Sequence, residues 1–139
     1  MRRTLAALLL AAGPALAVLP GASDDAQVME GARLLEAGRY DLGLPLLRAA
    51  LERLPGDPDI LVYIAFAERR LGRKEEAMDA YFLALSHDPN HPGALAYQGS
   101  LFLEMNEPAR AAANLAQLAA TCGACPEHET LRREIARPR

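Results

Sequence analysis

The sequence predicts an all-α protein, an α-α superhelix of three helical hairpins closed by a C-terminal capping helix. Three observations carry that prediction. Hydrophobic residues make up 51% of the 139 residues but aromatics only 5%, with no Trp, so the apolar content is mostly Ala and Leu. Such a composition favours helix, because neither side chain pays the χ1 penalty of β-branched residues. Small and large apolar residues recur in register at a shift of 34, and Gly and Pro punctuate the chain at that same period. Stacked hairpins that each cover a neighbour also need no large aromatic centre.

The first element reads as an address. Arg2 and Arg3 make a cationic start, Leu5 to Ala12 an apolar run of eight, and Gly13-Pro14 a helix break before Ala15-Leu16-Ala17. That is the pattern of a secretory signal peptide cleaved after Ala17. The run is too short for a hydrocarbon core that needs about 20 apolar residues. Removing residues 1–17 leaves 122 residues and shifts the net charge from −3 to −5. Residues 18–23, with Pro20, Gly21 and Ser23, read as a disordered lead-in. The expected location is periplasmic or secreted. Membrane contact is expected only through the uncleaved signal peptide.

The repeats follow at 24–57, 58–91 and 92–125. Gly31, Ala65 and Gly99 align, as do Gly38, Gly72 and Asn106; Leu47, Tyr81 and Leu115; and Pro55, Pro89 and Gly123. Small residues let paired helices approach. Gly or Asn accepts the positive φ of the turn between them, and Pro stops the second helix. Pro45 is the irregular feature, removing a hydrogen bond to the Asp41 carbonyl inside a second helix. Pro108 opens another, where Pro is welcome. Residues 126–139 read as the capping helix and tail: Pro126 starts it, Glu127 and Glu129 follow, and Leu131 and Ile135 make an apolar stripe.

Leu61, Ala65, Leu71-Gly72-Arg73, Ala77, Tyr81, Ala84-Leu85 and Asp88-Pro89-Asn90 resemble a near-consensus tetratricopeptide repeat (TPR). The resemblance extends over about residues 24 to 125. It implies that the first helix of each repeat lines a concave groove. The groove positions would then include Asp25, Val28, Ala32 and Leu35 in the first repeat and Asp59, Val62, Tyr63, Phe66, Arg69 and Arg70 in the second. Ala96, Tyr97, Ser100 and Leu103 would follow in the third. Some relatives clamp a peptide carboxylate with Lys and Asn. Val28, Val62, Ala96, Ala32 and Phe66 stand in those places here, which rejects the clamp. An apolar, aromatic groove edged by Arg69 and Arg70 suits an extended peptide or amphipathic helix. The partner-binding set is Val62, Tyr63, Phe66, Arg69, Arg70, Tyr97 and Ser100, although aromatics at helical spacing also serve cores.

One cluster bears reactive chemistry, Cys122-Gly123-Ala124-Cys125-Pro126 with His128 behind it. An oxidising compartment favours a structural disulfide between Cys122 and Cys125. A thiol-redox pair is the second reading, but that motif wants its first Cys at a helix start after a strand. Metal binding by Cys122, Cys125 and His128 is the third, short of a fourth ligand. Haem attachment fails because Pro126 stands where His is required. His87, His91 and His128 form no triad, and no phosphate loop occurs. The chain is therefore expected to be no enzyme and to need no cofactor or metal. A net charge of −3 without a basic patch argues against nucleic acid. The expected partner is another protein or peptide rather than a small-molecule substrate. A periplasmic thiol or metal carrier is the alternative.

Overall fold

The computed structural model describes residues 23–138. The signal peptide at 1–17 and the lead-in residues 18–22 lie outside the described residues. Among the described residues seven helices follow in order: α1 (Ala26–Glu36), α2 (Tyr40–Arg53), α3 (Pro58–Arg70), α4 (Lys74–His87), α5 (Pro92–Glu104), α6 (Pro108–Thr121) and α7 (Pro126–Ala136). Helices α1/α2, α3/α4 and α5/α6 pair most extensively, giving three hairpins, and α7 packs on α5 and α6. This is the all-helical array that the sequence predicts.

The period of 34 is visible in hydrogen bonds. Gly38, Gly72 and Asn106 end the first helix of each hairpin at φ 73°, 82° and 60°. The next amide then reaches back to a carbonyl of the helix: Arg39 to Leu34, Arg73 to Glu68, and Glu107 to Phe102. These three turns are one Schellman motif used three times. The starts are less uniform. Asp25 and Asp57 cap α1 and α3 with their carboxylates. The α5 cap is His91, whose Nδ1 accepts from the Ala94 amide at 3.1 Å while Nε2 faces Asp59 Oδ1 at 2.7 Å. Accepting at Nδ1 places the ring proton on Nε2, which donates to Asp59.

Pro45 lies inside α2, five residues after Tyr40, on the exposed face. The hydrogen bond it removes is therefore one that a continuous helix would make. The Asp41 carbonyl shares that outward face one turn earlier, where water can satisfy it.

Helix α3 is the keel of the array, with every residue from Ile60 to Glu68 buried. Its Ile60, Tyr63, Phe66 and Ala67 join Val28, Leu35 and Leu47 in one core, and its Leu61, Val62 and Ala65 join Tyr81, Leu95, Phe102 and Leu131 in the next. The buried Glu68 carboxylate is paired with Arg48 of α2 on one side and Arg73 at 2.9 Å on the other. A buried carboxylate left without such partners would be costly.

Curvature follows from which helices touch. Each odd-numbered helix contacts the next odd-numbered one, α1 to α3, α3 to α5 and α5 to α7. Among the described residues α2, α4 and α6 share no such contact. The array therefore bends with α1, α3, α5 and α7 on its inner side. Gly99 permits the last of these contacts: a Cβ there would stand 2.6 Å from Leu131 Cδ2 and 2.8 Å from Cδ1.

Candidate functional site

The inner face is built by residues that share one register. Since α7 opens at Pro126, 34 residues after Pro92, it occupies the place of a fourth first helix. Glu134 and Arg137 thus align with Ser100 and Leu103. On this face lies a pocket of about 380 Å³ bounded by Arg69, Ser100, Glu104, Glu134, Arg137 and Pro138, and Met29, Tyr63 and Tyr97 share one register in α1, α3 and α5.

Aromatic rings floor the middle of this face. Phe66 packs edge-on between Tyr40, with centroids 6.0 Å apart, and Tyr97, at 5.4 Å. The Arg70 guanidinium lies over the Tyr40 ring at 5.5 Å. Phe66 is only 5% exposed and Val62 fully buried, so both side chains are engaged in packing. Tyr97 is half-buried and Arg70 exposed. Tyr63 is buried too, and burial, together with the charges of Asp59 and Glu36, pushes its phenol up to about 12. Met29, which holds the same register in α1 as Tyr63 in α3, is 55% exposed.

Arg69 bridges α3 to α5, donating from Nε and Nη2 to a single oxygen of Glu104, Oε1, at 3.0 and 2.6 Å. Burial opposes its charge, but the Glu104 hydrogen bond and the fields of Tyr81, Glu104 and Glu134 outweigh that and raise its pKa. Ser100 donates its hydroxyl to the Ala96 carbonyl, leaving only its lone pairs toward the pocket.

The sequence set thus divides. Arg69 and Ser100 line the pocket, Arg70 and Tyr97 offer surface, and Val62, Tyr63 and Phe66 form the groove's packed floor. Glu104, Glu134 and Arg137 were absent from that set. The signal for the latter two was Pro126 falling 34 residues after Pro92, which extends the groove register into the last helix.

Cys122 terminates α6 and Cys125 precedes α7, with their Cα atoms 5.5 Å apart and their thiols within bonding distance. Neither position is the first Cys of a helix that follows a strand. Among the described residues no group of three or more His, Cys, Asp or Glu side chains gathers to hold an ion. None of the described helices is long and apolar enough to cross a membrane.

The structure defines a class, a short curved array of helical hairpins with a grooved inner face. Its residues 34–92 match the tetratricopeptide repeat family. No curated protein sequence matches significantly. Solved structures share the fold at low identity. The first TPR of Spaghetti (RPAP3), bound to the HSP90 peptide SRMEEVD, superposes with a TM-score of 0.72 at 17% identity, covering 79% of this chain and 89% of that one. The Yersinia enterocolitica type III secretion chaperone SycD, in complex with a peptide of the translocator YopD, gives 0.69 at 15%, covering 79% and 84%. PcrH in complex with the chaperone-binding region of PopB gives 0.68 at 21%, covering 83% and 95%.

Proposed function

We propose that this protein is a non-catalytic interaction module, or scaffold, of the bacterial cell envelope. It is exported by residues 1–17 and holds a peptide or helix of a partner protein in its concave groove. The observation that carries this reading is the inner side of the array, where an aromatic floor lies beside a side-chain-sized pocket. The three solved relatives support it, since each holds a segment of another protein. The Cys122–Cys125 pair serves as a staple at the α6–α7 turn, supported by a Cα separation of 5.5 Å, within the range a disulfide spans.

Phe66 is unsuited to a test of binding, because truncating a packed aromatic costs about 3–5 kcal/mol. Met29→Glu and Arg70→Glu instead alter exposed groove positions outside the core. Co-purification from the envelope fraction should recover one partner with the parent protein and lose it with the double variant at unchanged helicity. Retention of that partner would refute the groove. N-terminal sequencing of the same material should begin at Val18. Thiol trapping of protein taken directly from cells should find Cys122 and Cys125 oxidised, whereas a pair that cycles would favour the redox carrier.

A further inference from the structure

The second and third hairpins start alike in geometry and differ in chemistry. Before α3 stands Asp57, whose carboxylate accepts the Ile60 amide at 3.1 Å. At the same register before α5 stands His91, whose Nδ1 accepts the Ala94 amide, also at 3.1 Å. An ionised carboxylate and a neutral imidazole both accept, but imidazole is the side chain that changes charge between about pH 8 and pH 5. Protonation puts a second N–H on the ring, at Nδ1, facing the Ala94 N–H and the positive end of the α5 dipole. Imidazolium has no lone pair to offer, so that cap is lost.

The ring itself stays in place. It is only 7% exposed, and Nε2–H donates to Asp59 Oδ1 of α3 at 2.7 Å, a bond that the neutral and the charged ring both make. The other titratable groups at this turn are engaged elsewhere. Asp88, at the end of α4, accepts the Asn90 amide, and His87 lies against Gly56. Helix α6 contributes the uncharged Gln117, bonded to Pro89 and Asn90, and the first turn of α5 has no acidic residue. Among the described residues none of these bonds the Ala94 amide.

We propose that His91 is a pH-sensitive cap. Acid releases its hold on the start of α5 while Asp59 keeps the ring on α3. The first turn of the helix that carries Tyr97 and Ser100 then loosens, and the start of α3 does not.

Nuclear magnetic resonance of the ¹⁵N-labelled protein tests this between about pH 8 and about pH 5. At the upper end the His91 ring should carry its proton on Nε2 and none on Nδ1. As pH falls, Nδ1 should titrate, and the Ala94 amide should lose hydrogen-exchange protection about fivefold or more in step with it, after correction for the intrinsic rate. The Ile60 amide should keep its protection throughout. His91→Asn, whose side-chain oxygen accepts at every pH in this range, should hold the Ala94 protection constant. A proton on Nδ1 at about pH 8, no titration of Nδ1 by about pH 5, an Ala94 amide indifferent to that titration, or the same acid loss in His91→Asn would each overturn the proposal.

Discussion

Replacing Gly99 by Ala should destabilise the protein, yet stabilise a variant that already lacks the Leu131 side chain. The new Cβ would lie 2.6 and 2.8 Å from the two methyl carbons of Leu131, closer than such contacts occur. Leu131 is fully buried, so it has little room to turn away. Overpacking of this kind costs about 1–3 kcal/mol, against roughly 1 kcal/mol gained by removing a helical glycine. The clash wins, for a net loss of about 1 kcal/mol. Leu131→Ala alone should cost about 2–5 kcal/mol, through lost burial and a cavity under α7. In that background the clash is gone. The helix gain of about 1 kcal/mol remains, and the added methyl fills part of the void. The cycle should thus show a coupling of about 2 kcal/mol with a change of sign, read from urea unfolding of the four proteins by circular dichroism. Additivity within about 0.5 kcal/mol would refute the claim that Gly99 exists to let α7 approach α5.

Three further outcomes follow from local geometry. His91→Ala should lose about 1 kcal/mol or more by uncapping α5, and His91→Asn should recover much of it, as thermal unfolding would show. Pro45→Ala should stabilise α2 by about 1–2 kcal/mol in urea titrations, since Pro45 is exposed and its absence restores an amide donor to Asp41. The Arg53 hydrogen bond, aided by the α1 amides, holds the Asp25 carboxyl at about 2 instead of 3.8. A depressed carboxyl pKa stabilises the fold above the unfolded value and loses that benefit as pH falls through the folded one. The parent's stability margin over Asp25→Asn should therefore be full above about pH 4 and vanish toward pH 2 in acid titrations followed by helicity.

The helices and their turns were legible because backbone chemistry announces itself in single residues. Gly38, Gly72 and Asn106 mark positive φ, and Pro58, Pro92 and Pro126 mark helix starts at one period. The inner face was legible by register, but its surface chemistry was not. Whether Phe66 is surface or floor depends on Tyr40 and Tyr97 closing over it from other helices. Arg69 with Glu104, and Asp59 with His91, are pairs whose geometry depends on how neighbouring hairpins twist. His91 as a helix cap was hidden because imidazole is not a usual capping group. Glu134 and Arg137 were hidden for a different reason. A helix that covers the end of an array also continues its groove, and the first role masks the second.

The inner face is the proposed place where a partner is held. Site-specific photo-cross-linking in cells tests it most directly, with the reactive group placed in turn at Met29 and Arg70 on the inner face and at Ser86 of α4 on the outer one. All three positions are exposed. Both inner positions should give one adduct of a single discrete mass, and Ser86 none. An adduct from Ser86 alone, or none from either inner position, would contradict it.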